Sequence, residues 1–193
     1  MDVKNPNNRI MVVVDYSNYH YYLKKAKWKI DWFLFKRYFE SLYDISTFHY
    51  YEGIPSIAQI KDLRHGISDD EARAEQKKKR EFFACMKNWG YHIETKPVNR
   101  IFDKPARRFK HKCNFDVEIT IDVLDNIDEF DVLILCSGDG DFEKLIKNIK
   151  GKGKGVILIG PAFSATNSGI EKAAHSVVYL SNLRNDIERI AGE

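Results

Sequence analysis

Two strong apolar runs, IMVVV at residues 10–14 and FDVLILC at residues 130–136, stand out along the chain. Runs of this kind predict strands that are buried on both faces. Four shorter segments also have strand patterns, at residues 47–52, 91–95, 155–159 and 177–180. Strands are therefore spread along the whole chain rather than grouped in one part of it.

Between these strands, apolar residues recur at helical spacing and predict helices at about residues 31–43, 69–89 and 142–150. Gly90 and Gly151 stand just past the last two, where glycine often ends a helix. Strands that alternate with helices indicate an α/β fold, with a mostly parallel sheet covered by helices on both faces. Such sheets bind ligands at the carboxyl ends of their strands.

The segment at 115–124 fits two secondary structures, because its apolar residues alternate with polar ones and also recur every four residues. Asn114 is a good N-cap and the spacing to the next strand suits a crossover, so a helix is preferred. A strand would place Asp116, Glu118 and Asp122 on one face. A helix would turn Asp122 roughly 120° away from Asp116.

With 193 residues, 44% of them hydrophobic, the chain is expected to form one domain over residues 1–193, with a flexible polar N-terminus at residues 1–8. The three cysteines form no CxxC pair, which favours a reducing compartment and argues against a zinc module. No apolar run approaches the roughly 18 residues of a membrane span. We therefore expect a cytoplasmic protein with no membrane partner.

Aspartates follow both strong strands. Asp15 ends the first, and Asp139 and Asp141 lie in the segment SGDGDF directly after the second. Mg²⁺ prefers oxygen ligands and is often held by carboxylates together with a substrate phosphate. A bound cation can ionise a water and stabilise a leaving oxygen. The sequence therefore predicts a Mg²⁺ or Mn²⁺ site at this edge of the sheet.

A structural interpretation of the same aspartates is also open. Asp139 or Asp141 could cap the following helix, and Asp15 could form a turn. Asp116 falls in the first turn of its predicted helix, where the helix dipole favours an anion. The combined set is more typical of a ligand site than of separate caps, since ligand sites favour this edge of an α/β sheet.

Three blocks of the sequence resemble the NYN domains of the LabA-like group, relatives of the PIN-domain nucleases. They are VDYSN at 14–18, the stretch from Lys112 through Asp116 with Asp122 beyond it, and SGDGDF at 137–142. The last block, S-G-D-x-D-F directly after an apolar strand, is the most specific. The likeness extends from residue 10 to about residue 180.

The resemblance implies a three-layer, Rossmann-like PIN-type fold and a metal-dependent endoribonuclease activity. By position, Asp15, Asp116 and Asp139 would be metal ligands and Asp141 a further catalytic acid. Asn18 would position water or phosphate.

The sequence departs from the family pattern in two places. The family usually has glycine after the first aspartate, where this chain has Tyr16. Lys112 stands one residue further from Asp116 than in the common K-G-x-D form. An acid is usual where Asp122 stands, so the departures remove no acidic position.

The segment at 96–112 is basic and is predicted to be a loop. It holds seven Lys and Arg residues against one acid: Lys96, Arg100, Lys104, Arg107, Arg108, Lys110 and Lys112. Such cations contact phosphates, and the interleaved Phe102 and Phe109 could stack on bases of a single strand. A solvated loop with both phenylalanines in the core is the alternative. The predicted substrate-binding residues are Asn18, Ser137, Arg107, Arg108, Lys110 and Lys112.

Three functions fit these features. The first is a metal-dependent ribonuclease acting on single-stranded or structured RNA, with room for a homodimer. The second is a non-catalytic RNA-binding module, which gains nothing from clustered carboxylates. The third is a haloacid-dehalogenase-like phosphatase, whose second aspartate would stand two residues after Asp15, where this chain has Ser17.

Overall fold

The computed structural model describes residues 2–104 and 107–189. Its strands are β1 (Arg9–Asp15), β2 (Asp44–Tyr51), β3 (Tyr91–Glu94), β4 (Asn99–Asp103), β5 (Arg108–Lys112), β6 (Val132–Cys136), β7 (Gly155–Gly160) and β8 (Ser176–Tyr179). Its α-helices are α1 (Tyr16–Ala26), α2 (Trp32–Leu42), α3 (Ile57–Leu63), α4 (Asp69–Asn88), α5 (Asp116–Asp125), α6 (Glu143–Gly151), α7 (Ser168–Ala173) and α8 (Arg184–Ile187).

The central sheet has six strands in the order β3-β2-β1-β6-β7-β8, and every pair in it is parallel. The chain runs outward from β1 to β3 and then returns to the other side of β1 to form β6. The point between β1 and β6 is therefore the topological switch point, where α/β sheets bind their ligands. In the register of these two strands, Val14 lies opposite Cys136.

Helices cover both faces of the sheet, which confirms the predicted three-layer α/β architecture. Successive residues of β1 alternate between two hydrophobic cores, because side chains of a strand point to opposite faces. Val12 and Val14 pack in one core with residues of α1, α2 and α4. Met11 and Val13 pack in the other core with residues of α5, α6 and α7.

The ambiguous segment after Asn114 is helical, as preferred from its spacing. Ile119 and Val123 of α5 are buried against the sheet, so the four-residue period decided the structure. The predicted N-cap is one residue away from the observed one. Phe115 occupies the N-cap position without a side-chain cap, and Asn114 instead accepts a hydrogen bond from the backbone N–H of Asp116.

The expectation of a loop over the basic segment is wrong. β4 and β5 pair as an antiparallel hairpin, separate from the central sheet. Residues 2–8, expected to be flexible, form turns with Val3 buried in the first core. Across the described residues, no helix is long and apolar enough to cross a membrane.

Candidate metal centre

The carboxyl ends of β1 and β6 and the start of α5 meet at the switch point of the sheet. Asp15 ends β1, Asp139 lies three residues after β6, and Asp116 is the first residue of α5. Asp116, Asp139 and Asp141 each offer a carboxylate oxygen that lies within 4.8 Å of the other two. Residues far apart in sequence are thus gathered into one acidic cluster.

Local hydrogen bonds hold two of these carboxylates in place. Asp139 accepts a bond from the backbone N–H of Asp141 at 3.1 Å, which caps a 3₁₀ turn at Gly140–Phe142. Asp116 accepts a bond from the side-chain amide of Asn114 at 2.6 Å. The capping interpretation of Asp139 is therefore correct, and it is compatible with a place in the cluster, because a cap uses one of the two carboxylate oxygens.

Asp15 lies outside this group of three. It is only 3% exposed, and its carboxylate accepts hydrogen bonds from Ser17 Oγ at 2.6 Å and Ser137 Oγ at 3.1 Å. Burial raises the pKa of Asp15, the two serine hydroxyls lower it, and the negative charge of Asp116 raises it. Asp15 therefore lies behind the cluster and is coupled to it electrostatically.

The three clustered carboxylates repel one another. The pKa of Asp116 is raised, chiefly by burial and then by the charges of Asp139 and Asp141, while Asn114 and Lys112 act in the opposite direction. A divalent cation would relieve this repulsion, and oxygen atoms are the ligands that hard cations prefer. The donor set and its spacing therefore fit a divalent metal ion.

Ser137 and Asn18 support the loop after β6. Ser137 is fully buried, and its hydroxyl also accepts a hydrogen bond from the backbone N–H of Asp139 at 3.1 Å. Ser137 therefore lies beneath the cluster rather than on its surface, which is at odds with its predicted contact with substrate. Asn18 Oδ1 accepts a bond from the Gly138 N–H at 2.7 Å and so links α1 to the same loop.

Both glycines of this loop are closely packed, Gly138 against backbone and Gly140 against a side chain. A Cβ on Gly138 would lie 2.6 Å from the backbone oxygen of Ala165, and one on Gly140 would lie 2.8 Å from the side-chain nitrogen of Asn167. Asn167 also donates its backbone N–H to the Gly138 carbonyl at 2.9 Å. The sequence gave no sign of this role for Asn167, since the contact joins two loops that follow different strands.

The hairpin carries exposed aromatic and basic side chains. Phe102 and Phe109 are paired across β4 and β5, with ring centres 5.2 Å apart and exposed fractions of 50% and 52%. The guanidinium carbon of Arg100 lies 4.0 Å from the centre of the Phe109 ring. The alternative that both phenylalanines are buried in the core is therefore wrong.

Of the four predicted basic contacts, two have described side chains. Arg107 and Lys112 are exposed, and the charge of Lys112 is close enough to lower the pKa of Asp116. The side chains of Arg108 and Lys110 lie outside the described residues.

The chain matches a known protein family over most of its length. The family model of the NYN domain matches residues 9–181, a range that contains the whole acidic cluster and the hairpin. The chain belongs to the NYN domain family. This NYN domain is also similar to the low amplitude and bright protein LabA of Synechococcus elongatus, with 24% identity over 184 residues that cover 94% of this chain and 89% of LabA.

A solved structure has the same fold as this NYN domain. It is a protein of unknown function from Vibrio parahaemolyticus, with a TM-score of 0.70 and 22% sequence identity. The match covers 96% of this chain and 98% of that protein. At this level of identity the likeness establishes the three-layer fold.

Proposed function

We propose that this NYN domain is an endoribonuclease that hydrolyses RNA phosphodiester bonds with the help of Mg²⁺ or Mn²⁺. The observation that carries the proposal is the approach of Asp116, Asp139 and Asp141 to within 4.8 Å of one another at the switch point of the sheet. Three carboxylates so close together are unfavourable without a cation. Membership of the NYN family supports the same activity.

Asp116, Asp139 and Asp141 would hold the cation through one carboxylate oxygen each. When bound, a divalent cation lowers the pKa of a coordinated water and stabilises negative charge on the leaving oxygen of a phosphodiester. Asp141 is exposed, whereas Asp116 and Asp139 are half-buried, so the cluster opens to solvent on the side of Asp141. Substrate would approach from that side.

Asp15 acts from behind the cluster in this proposal. Its buried carboxylate holds the hydroxyl of Ser137, which in turn holds the backbone of Asp139. Burial and the charge of Asp116 raise the pKa of Asp15, and a cation bound at the cluster would favour its ionised form. We assign Ser137 a positioning role, and Asn18 the support of the loop, with its remaining side-chain amide available to water or phosphate.

The hairpin would hold the RNA strand. Its exposed cations contact phosphates, and the exposed ring pair of Phe102 and Phe109 offers stacking surfaces for unpaired bases. Because β5 leads through residues 113–115 directly into α5, the hairpin is anchored next to Asp116. Lys112, whose charge lowers the pKa of Asp116, would contact a phosphate at the edge of the cluster.

The other two functions fit the structure less well. A non-catalytic RNA-binding surface would place three carboxylates against phosphates without any benefit. A phosphatase of the haloacid-dehalogenase type needs a nucleophilic aspartate that reaches substrate, but Asp15 is buried and accepts two serine hydrogen bonds.

The three cysteines are unpaired, so we also propose that the protein works in the reducing cytoplasm.

The proposal is tested by cleavage of labelled single-stranded RNA in Mg²⁺, Mn²⁺ or EDTA. Wild type is compared with Asp116→Asn and Asp139→Asn, and with Asp125→Asn as a matched control, since Asp125 is an exposed aspartate at the far end of the same helix. We expect cleavage that needs the cation, survives in the control and is lost in the two cluster variants. Cleavage in EDTA, or full activity in both cluster variants, would contradict the proposal, whereas binding without cleavage would favour the RNA-binding module.

A further inference from the structure

A second polar cavity, of about 500 Å³, opens beside the edge of the sheet, away from the acidic cluster. Its walls are formed by β2, the edge strand β3, the second half of α5 and the end of α4. The side chains that matter for its chemistry are those of His49, Lys87, His92, Glu94, Asp122 and Asn126. Most of them carry hydrogen-bonding groups, and none belongs to the cluster of three aspartates.

Two imidazole rings form a stack in this cavity. His49 and His92 are directly opposite in the register of β2 and β3, with ring centres 5.0 Å apart and planes inclined by 19°. The ring of Tyr51 lies nearly parallel to that of His49, at an inclination of 18°. In the described part of the chain, β3 is the outermost strand of the central sheet, with no strand beyond it, and His92 is exposed. An exposed planar surface is thus available for a flat ligand.

The charges of the cavity disfavour an anion. Glu94 and Asp122 contribute two carboxylates against the single ammonium group of Lys87. Burial, followed by the charge of His92, lowers the pKa of His49 to about 4, although Asp122 acts in the opposite direction. His49 is therefore uncharged at neutral pH and adds nothing to the attraction of a phosphate.

The cavity is also unsuited to a metal ion. Among residues 2–104 and 107–189, the aspartate cluster at the switch point is the one group of acids, histidines or cysteines close enough together to hold a cation. The stacked imidazoles present their faces to each other, whereas a metal is bound through ring nitrogens in the plane. A neutral, planar ligand is the class that remains.

Apart from the Lys87 ammonium and the imidazoles, the free hydrogen-bonding groups of the cavity are acceptors. Asp122 accepts the Tyr51 hydroxyl through Oδ2, at 2.5 Å, and keeps its other carboxylate oxygen. Asn126 donates its amide to the Asp122 backbone carbonyl at 2.8 Å, which leaves its own carbonyl oxygen as an acceptor. Glu94 is exposed and contributes two more carboxylate oxygens. A matching ligand must bring N–H donors.

We propose that this cavity is a subsite for one nucleobase of the RNA, stacked on His92, with a preference for bases that carry an exocyclic amino group. Carboxylates accept hydrogen bonds from such groups, whereas the uracil edge has oxygen at the same position. Asp122 lies six residues beyond Asp116 on α5, a rise of about 9 Å along the helix. Since Asp122 is also turned roughly 120° away from Asp116 around the helix, the base would belong to a neighbouring nucleotide rather than to the one whose phosphate lies at the acidic cluster, and in this respect the subsite rests on the proposed function.

The test is an NMR titration of the histidine-labelled protein with free nucleosides, which requires no cleavage. Guanosine is compared with inosine, which lacks only the 2-amino group, and cytidine with uridine, in which oxygen replaces the 4-amino group and N3 carries a hydrogen. We expect the ring signals of His49 and His92 to shift with cytidine and guanosine, and binding of uridine and inosine to be weaker by about tenfold, as for loss of a hydrogen bond to a charged group. Ribose 5-phosphate should leave both signals unchanged.

Variants complete the test. His92→Ala should abolish nucleoside binding, and His65→Ala, at an exposed histidine in the segment after α3, is the matched control. Signals that do not move, equal binding within either nucleoside pair, or binding of ribose 5-phosphate would overturn the subsite even if the protein cleaves RNA. Selective nucleoside binding would support it even if no cleavage is found, so the two proposals fail separately.

Discussion

The hydroxyl of Ser137 donates a hydrogen bond to the buried carboxylate of Asp15 across 3.1 Å, although the two residues are 122 positions apart in the sequence. The same hydroxyl accepts the backbone N–H of Asp139. One serine thus connects the end of β1 to the loop that carries two of the clustered aspartates. The shape of the acidic cluster therefore depends on the pairing of β1 with β6.

Replacing Ser137 by alanine should weaken both the fold and the site. The buried carboxylate of Asp15 would lose one of its two hydroxyl donors, and an unsatisfied buried group costs about 1–3 kcal/mol. We expect the free energy of unfolding, measured in urea, to fall by about this amount. Ser181→Ala, at an exposed serine, is the control and should change little. Equal stability of the two variants would show that the Ser137 bond is not needed to hold Asp15.

The repulsion within the cluster predicts how stability depends on pH. The pKa of Asp116 is raised above 3.8 in the folded protein, chiefly by burial. The stability associated with its protonated form is therefore fully present below pH 3.8 and is lost as the pH rises through the folded pKa.

Without added cation, Asp116→Asn should therefore be at least as resistant to urea as wild type at pH 7, because the neutral amide avoids the burial and repulsion that disfavour the carboxylate. This advantage should shrink as the pH falls toward 3.8. Asp125→Asn should show no such pH-dependent difference from wild type. A variant that is less stable than wild type at pH 7 and gains on it at lower pH would contradict this sign.

Cation binding should stabilise wild type more than it stabilises variants that lack an aspartate of the cluster. A ligand that binds only the folded state stabilises it by about 2.7 kcal/mol at a concentration 100 times its Kd. Mg²⁺ or Mn²⁺ should therefore raise the Tm of wild type and of Asp125→Asn in thermal unfolding, in proportion to occupancy. Asp139→Asn and Asp141→Asn should show a much smaller rise. An equal rise in all four proteins would mean that the cations bind elsewhere.

Particular residues show how far the sequence alone could lead. The apolar runs of β1 and β6 were sufficient to place Asp15 and Asp139 at one edge of a parallel sheet, because strands buried on both faces have few alternatives. The depth of Asp15 behind the cluster could not be read from the sequence, since it depends on how Ser17 and Ser137 orient around it. The side chain of a strand-end residue can face either way.

The hairpin was missed for a different physical reason. β4 and β5 have little apolar-polar alternation, and the apolar side chains described in them, those of Ile101, Phe102 and Phe109, are about half exposed rather than buried in a core. Their pairing instead follows from the cross-strand contact of Phe102 with Phe109, which becomes visible only when the two strands are in register. Polar and charged residues together make up most of both strands, and this composition is also typical of loops.

The exposed ring pair predicts a specific loss of RNA affinity. Stacking of a base on an aromatic side chain contributes about 1–3 kcal/mol, so Phe109→Ala should weaken binding of single-stranded RNA by roughly 5- to 150-fold. Binding of fully duplex RNA should change less, because its bases are already stacked. Phe33→Ala removes a ring that is 46% exposed on α2, and should leave binding unchanged. Fluorescence anisotropy with a labelled oligonucleotide measures all three cases, and equal losses in the two variants would remove the hairpin from the binding surface.

Gly138 packs closely against the residues around the acidic cluster. A Cβ at this position would lie 2.6 Å from the backbone oxygen of Ala165 and 3.0 Å from Oδ1 of Asn18. Backbone at Ala165 cannot move aside as a flexible side chain can, so Gly138→Ala should displace the loop and with it Asp139. We expect a lower free energy of unfolding and a loss of the cation-dependent rise in Tm.

Gly151→Ala is the matched control for Gly138→Ala. Gly151 ends α6, and a Cβ there would meet no atom within 4 Å. Because alanine favours helix over glycine by up to about 1 kcal/mol, this variant should be as stable as wild type or slightly more stable. It should also keep the full response to Mg²⁺. If Gly138→Ala kept that response as well, the loop after β6 would have to accommodate a methyl group without moving Asp139, and the close packing around Gly138 would not control the geometry of the cluster.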